Sequence, residues 1–339
     1  MQKRIHIALF GCLLACSMFV HAQDPNFSQF FSSPLNINPG LTANIDADWR
    51  AIANYRTQWL GPAAPYTTGT ISYDRKIFQH KIAGMQEKNY WGIGSMVMFD
   101  YAMQGIVKST YGSLNLLYNI KLTGGDKVNR LGAGFGAIYG NRYVDFNRLT
   151  FQEQFTGSGF NTALPTGEAA LTSMKPYVSA SFGLVYSRST DKSNLDLGTS
   201  IFHFNKPKQT FIEDPNQYLP PRWVVHGNFE TYLNDALVLN TNAIYQKQEK
   251  ASYYSFGGGL GFEISRVEST MFNAGLWYWS DNAITPYVGL SYRDMQFGIS
   301  YDFTISKLRE TPRQTTSFEI SFILRGSKPP GIGVPCPWK

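Results

Sequence analysis

Between positions 287 and 304 the chain reads YVGLSYRDMQFGISYDFT, and the second half of this run alternates without a break. Met295, Phe297, Ile299, Tyr301 and Phe303 are apolar or aromatic, while Gln296, Gly298, Ser300 and Asp302 between them are small or polar. A period of two places these sets on opposite faces of a strand. Arg293 and Asp294 separate runs at 286–292 and 295–303, which predicts a tight antiparallel hairpin. A water-soluble sandwich turns such an apolar face to a shared core. A membrane barrel turns it to lipid and its polar face to a lumen.

The same period recurs along the chain and predicts fourteen strands, at 49–60, 66–78, 90–101, 105–121, 128–142, 176–189, 194–204, 222–232, 236–246, 252–265, 268–279, 284–292, 294–303 and 315–324. Leu195, Leu197 and Ile201 face away from Asp196, Gly198 and Ser200. Phe318, Ile320, Phe322 and Leu324 oppose Ser317, Glu319 and Ser321. The count is even, as bacterial single-chain barrels require.

The connections test this independently. The longest, at 143–175, 205–221 and 304–314, follow strands five, seven and thirteen, all odd. Short turns follow strands four, six, eight, ten and twelve, and only 80–89, after strand two, breaks the pattern. Short periplasmic turns with long outer loops are the barrel expectation, whereas a sandwich has no reason to sort connections by parity.

Two inward faces are rich in glycine: Gly132, Gly134 and Gly136 in strand five, and Gly257, Gly259 and Gly261 in strand ten. Either something packs against them, such as residues 24–48 or an inward loop, or glycine eases strand curvature. The assignable inward faces carry glycine and serine more than rings of charge, which favours an anchoring barrel over a conducting one.

Composition agrees. Charged residues make up 16% of the 339 positions, against 24 Phe, 20 Tyr and 7 Trp, and no later run of about twenty apolar residues could form a spanning helix. Lys3 and Arg4 precede an apolar run from Ile5 to Val20, and Ala22 followed by Gln23 fits a signal-peptide cleavage point. Cleavage there removes Cys12 and Cys16, leaving Cys336 in the mature chain and no intramolecular disulfide. The net charge of +6 is too scattered to argue for nucleic acid. The chain therefore divides into a signal peptide (1–22), an N-terminal segment lying across the periplasmic mouth or in the lumen (23–48), an all-β, single-domain transmembrane antiparallel barrel (49–325) and a Pro-rich tail with Cys336 (326–339).

Catalytic chemistry is thinly represented. His80, His203 and His226 lack a second histidine or cysteine at ligand spacing, so no metal or other cofactor is expected. Hydrolysis would need a serine beside His226, and there is no G-x-S-x-G. GAGFG and GGGLG sit inside alternating strands, not between a strand and a helix, so they are no phosphate loops. Trp277, Tyr278 and Trp279 read as an interfacial aromatic girdle against outer-membrane lipid. Phe146, Phe151, Phe155 and Phe160, in the first long loop, either cap the barrel or bind a partner domain. Phe27, Phe30 and Phe31 in the N-terminal segment, and Cys336 in the tail, are further candidates for partner binding.

QDPNFSQFFSSPLNINPGLTAN (23–44), NYRTQW (54–59), ISYD (71–74), LPPRWVVHG (219–227), GLWYW (275–279), SYDFTISKL (300–308) and the pair Cys336-Pro337 occur in order along the mature chain. Together they resemble the PorP/SprF family of Bacteroidota outer-membrane proteins, except that Gly40 stands where alanine is expected. The resemblance implies a non-enzymatic component of type IX secretion, and in some members of gliding motility. It implies as partners the periplasmic ring lipoprotein and that lipoprotein's own partner, or the C-terminal domain of a large secreted adhesin. A substrate-conducting porin or hydrophobic-ligand transporter is the competing reading.

Overall fold

A computed structural model describes residues 24–60, 64–78, 89–123, 127–167, 174–209, 218–280, 283–305 and 316–326. Ala22 and Gln23, at the expected cleavage point, lie outside these residues, as do the connection at 79–88 and the tail with Cys336. Fourteen strands form one closed antiparallel barrel in sequence order. They are β1 (Trp49–Leu60), β2 (Tyr66–Ile77), β3 (Tyr90–Ala102), β4 (Val107–Thr123), β5 (Lys127–Val144), β6 (Tyr177–Thr190), β7 (Ser193–Phe202), β8 (Arg222–Asn234), β9 (Leu237–Gln248), β10 (Ala251–Ser265), β11 (Thr270–Trp279), β12 (Ala283–Tyr292), β13 (Met295–Thr304) and β14 (Thr316–Gly326). Each matches its predicted span to within about two residues at either end, because the alternating period marks strands directly. β1 closes on β14 with Trp49 opposite Gly326, so no sheet edge is left unpaired.

The side-chain alternation sets what faces where. On β13, Phe297, Ile299, Tyr301 and Phe303 lie on the exposed outer face, and Gln296, Ser300 and Asp302 are buried inside. Tyr292 pairs with Met295 across the two-residue turn of Arg293 and Asp294, so this hairpin forms as the pattern requires. A ten-residue strand rising about 3.4 Å per residue and tilted by about 40° spans roughly 26 Å, the height of a lipid-facing apolar band. No helix among the described residues is long and apolar enough to cross a membrane. The turns that follow the even-numbered strands gather at one end, where Arg293 of one turn meets Glu268 of its neighbour at 2.6 Å. That hydrogen bond holds the exposed Glu268 carboxyl below its usual range.

The core lies inside the barrel and is shared between residues 24–48 and inward side chains of the strands. This segment has no strand; it folds as a 3-10 turn at Phe30–Ser32, one helical turn at Pro34–Ile37 and a second 3-10 turn at Pro39–Leu41. Pro34 and Pro39 each sit in the first turn of their helices, where a missing N–H costs nothing. Phe27, Phe30, Leu35, Ile37, Ala43 and Ile45 are all buried. In a barrel of this width these side chains fill a lumen that strand side chains alone would leave open.

Candidate functional site: the occupied lumen

The segment is held along its whole length by inward-facing strand residues. At the end of the long connections, the Asp24 carboxylate lies 3.1 Å from Arg222 Nε and 2.9 Å from His203 Nε2. Its backbone N–H donates to Gln248 Oε1 at 3.0 Å. Arg56 donates to the Asn26 carbonyl, and the Tyr253 hydroxyl to the Asn26 side chain. The backbone N–H groups of Ser28 and Gln29 both donate to the Glu319 carboxylate, at 2.7 and 3.1 Å. Ser28 Oγ donates to Asp302 at 2.7 Å, and Arg56 bridges to the same oxygen at 2.9 Å.

Further along the segment, Asn54 takes the Ser32 carbonyl at 2.9 Å, Arg222 that of Asn36 at 2.8 Å, and Ser200 that of Ile37 at 2.6 Å. Asn38 donates to the carbonyls of Leu184 and Thr199, and its amide lies 3.0 Å from His226 Nε2. At the short-turn end, Asp74 accepts the Ala43 N–H at 2.7 Å while paired with Arg50 at 2.7 Å. Asn44 reaches Ser187 and Asp196. Non-helical backbone buried in this way must have its polar groups answered by side chains, and here the barrel wall answers them.

The glycine question receives two answers. A Cβ on Gly134 would stand 2.3 Å from the Pro39 carbonyl carbon and oxygen, and one on Gly183 would stand 1.8 Å from Asn38 Oδ1. Strand five and its neighbour are therefore small so that the segment can approach. In β10 the neighbours are different: a Cβ on Gly257 would meet Trp277, and one on Gly261 would meet Met271. Those glycines make room for large inward side chains of the adjacent strand.

Two expectations are corrected here. Trp277 and Trp279 are not a lipid girdle; they face the lumen, 1% and 6% exposed, and only Tyr278 between them faces outward. Trp277 packs on Phe31 at 4.8 Å and edge-on to Tyr287 at 5.7 Å, and Trp279 stacks on Tyr253 at 5.1 Å. The inner face is also richer in charge than glycine and serine suggested. Arg50, Asp74, Arg56, Asp302, Glu319 and Arg222 are buried there, in opposite-charge contacts with each other or with Asp24. The alternation placed Asp302 and Glu319 on the polar face, but it did not single out Arg50, Arg56, Asp74 or Arg222, and nothing in the sequence said how these charges pair across strands far apart in the chain.

Of the residues singled out for partner binding, Phe27 and Phe30 are buried in the lumen and Phe31 packs on the Trp277–Tyr287 pair, so all three anchor the segment. Phe146 and Phe151 are half-buried in the first long loop. Phe155 and Phe160, 53% and 55% exposed, pair with each other at 5.2 Å across a bridge within the loop. His203 and His226 are hydrogen-bonded wall residues. His226 meets Asn38 and no serine, while Ser179, His203 and Asp24 do form a serine–histidine–carboxylate contact. Ser179 is fully buried, however, and the carboxylate belongs to the inserted segment and is shared with Arg222. A nucleophile needs an approach for its substrate. Among the described residues no group of histidine, cysteine or carboxylate side chains could hold a metal ion.

A cavity of about 30 Å³ lies beside Asp24, lined by Leu35, Met96, Met98, Ile138 and Phe202 on its apolar side.

Several solved outer-membrane barrels share this fold at low identity. The Ralstonia pickettii toluene transporter TbuX is 11% identical with a TM-score of 0.47, covering 87% of this chain and 94% of that one. The Pseudomonas putida toluene transporter TodX is 10% identical with a TM-score of 0.49, covering 85% and 92%. The deltaS2 mutant of the TodX monoaromatic hydrocarbon channel is 9% identical with a TM-score of 0.50, covering 86% and 93%. At such identity the likeness concerns the fold alone. No curated protein matches the sequence. The sequence does match the family described as type IX secretion system membrane protein PorP/SprF, over residues 19–324. With the closed barrel and the inserted segment on which the first of the family-like stretches falls, the chain belongs to the PorP/SprF family of type IX secretion membrane proteins, in the outer membrane.

Proposed function

We propose that the protein works in type IX secretion as a non-enzymatic barrel that acts by protein–protein contact and conducts no substrate through its wall. The observation that carries this is the lumen, filled along its height by residues 24–48 and hydrogen-bonded to the wall throughout. A conducting barrel needs an open, polar path. Here Arg50, Arg56 and Arg222 and the carboxylates that face them are engaged with one another and with the segment. In this reading the long connections face outside the cell and meet exported cargo, such as the C-terminal domain of a large adhesin. The short turns and the tail with Cys336 face the periplasmic ring lipoprotein and its partner.

The test is a gentle detergent pull-down of the tagged mature protein from its native outer membrane, followed by mass spectrometry. Recovery of the periplasmic ring proteins places it in the core apparatus. Recovery of one adhesin's C-terminal domain makes it a dedicated anchor. A solitary barrel that conducts ions in planar bilayers would overturn the reading.

The transporter reading has one observation in its favour, the apolar wall of the cavity beside Asp24. Its size counts against it. About 30 Å³ holds no more than a few waters, whereas an aromatic ring needs a cavity of about 150 Å³.

A further inference from the structure

Three adjacent strand ends bring a guanidinium, an imidazole and an amide to one point near the long connections. Arg222 opens β8, His203 follows β7 and Gln248 closes β9. All three are buried. Together they recognise two features of Asp24. Arg222 and His203 hold its carboxylate, and Gln248 accepts the N–H of the same residue. That combination reads an aspartyl unit of a peptide and not merely a negative charge.

Asp24 does not use all that this site offers. Arg222 Nη1 and Gln246 Oε1 are buried side-chain atoms without a hydrogen-bond partner. Both residues line one small cavity of about 10 Å³, together with Asn26, Gln248 and Tyr253. A buried donor or acceptor left open costs free energy unless something else answers it. Asp24 itself borders the apolar cavity already described. The site has polar and apolar capacity beyond its present occupant.

We propose that Arg222, His203 and Gln248 form a receptor for an aspartyl carboxylate of a peptide, filled in cis by Asp24 and able to take an acidic segment of an exported protein in its place. The supply of that segment rests on the secretion reading above; the binding chemistry does not. Exchange need not empty the barrel. The contacts of residues 28–44 lie deeper in the lumen, so only residues 24–26, held at Arg56 and Tyr253, have to lift.

The experiment uses the purified mature protein in detergent, as wild type, as Asp24→Ala, and as Asp24→Ala combined with Arg222→Gln. The probe is N-acetyl-aspartic acid amide; N-acetyl-asparagine amide and butyrate are the controls. The aspartyl probe should raise the thermal midpoint of Asp24→Ala by about 2 °C or more and leave wild type and the double variant unmoved. The asparagine analogue should have no effect. Saturation-transfer NMR should show contact with the probe in Asp24→Ala alone, and His203→Gln in that background replaces Arg222→Gln should the latter not fold. Equal effects of butyrate would overturn the peptide assignment. A shift in the double variant, or none in Asp24→Ala, would overturn the receptor itself. Because the barrel is tested alone, a failed pull-down and a failed titration remain separate results.

Discussion

At the scale of single residues, the seat of the inserted segment depends on missing side chains as much as on present ones. Gly134 lies under the Pro39–Gly40 backbone, which cannot turn aside as a flexible side chain would. Gly134→Ala should therefore unseat the middle of the segment, at about 1–3 kcal/mol for overpacking, while the strands stay paired. Chymotrypsin cleavage at Phe27, Phe30 and Phe31 would report it. Gly112→Ala, with nothing within 4 Å of the new methyl, is the matched control and should stay within about ±0.5 kcal/mol. Arg56 makes the opposite point. It neutralises Asp302 at 2.9 Å and stands 3.8 Å from Glu319, all three buried, while its Nη1 binds the Asn26 carbonyl. Arg56→Ala strips two carboxylates of their counter-charge and should cost about 3–5 kcal/mol, read as a lower thermal midpoint. Asp302→Asn combined with Arg56→Met should recover part of that loss, because it removes charge from both sides of the 2.9 Å contact.

At the scale of elements, the strands were legible and the cross-barrel contacts were not. A period of two is a local signal, so β1 and β13 could be bounded from a dozen residues each. The faces followed from it as well, and Asp302 and Glu319 were correctly inward. Trp277 defeated the reading because an aromatic near a strand end has two common homes, the lipid interface and a packed lumen. Only its contact with Phe31, far away in the chain, distinguishes them. His203 and Arg222 were likewise visible as residues but not as a pair around Asp24, a separation no spacing rule reaches. The loop with Phe155 and Phe160 carries a prediction of its own. Two exposed phenylalanines in a loop do little for the barrel beneath, so replacing both by serine should leave heat stability within about ±0.5 kcal/mol. On the cargo-contact reading the same change should sharply reduce recovery of the adhesin domain in the pull-down. Unchanged recovery would remove this loop from the contact surface.

At the scale of the whole molecule, the inserted segment has a direction. Asp48 donates its N–H to the Gly326 carbonyl at 3.0 Å, at the end where β1 begins and β14 finishes, which is the end of the short turns. Asp24 sits among Arg222, His203 and Gln248, at the end of the long connections. Residues 24–48 thus cross the barrel from one mouth to the other before β1 crosses back. In an outer-membrane barrel the short turns are periplasmic and the long loops external. It follows that Asp24 stands at the mouth that faces the cell exterior, although export begins from the periplasmic side. A short epitope placed between Gln23 and Asp24 should therefore be bound by antibody on intact cells. The same epitope in the Arg293–Asp294 turn should be bound only after the outer membrane is permeabilised. Labelling of the N-terminal epitope from the periplasmic side alone would mean that the segment enters the lumen the other way, or leaves it in the assembled machinery. Surface labelling that vanishes when the ring proteins or cargo are present would show that partners control the segment. A barrel whose own N-terminal residues reach the outer mouth would carry a means of reporting its state across the membrane without opening a pore.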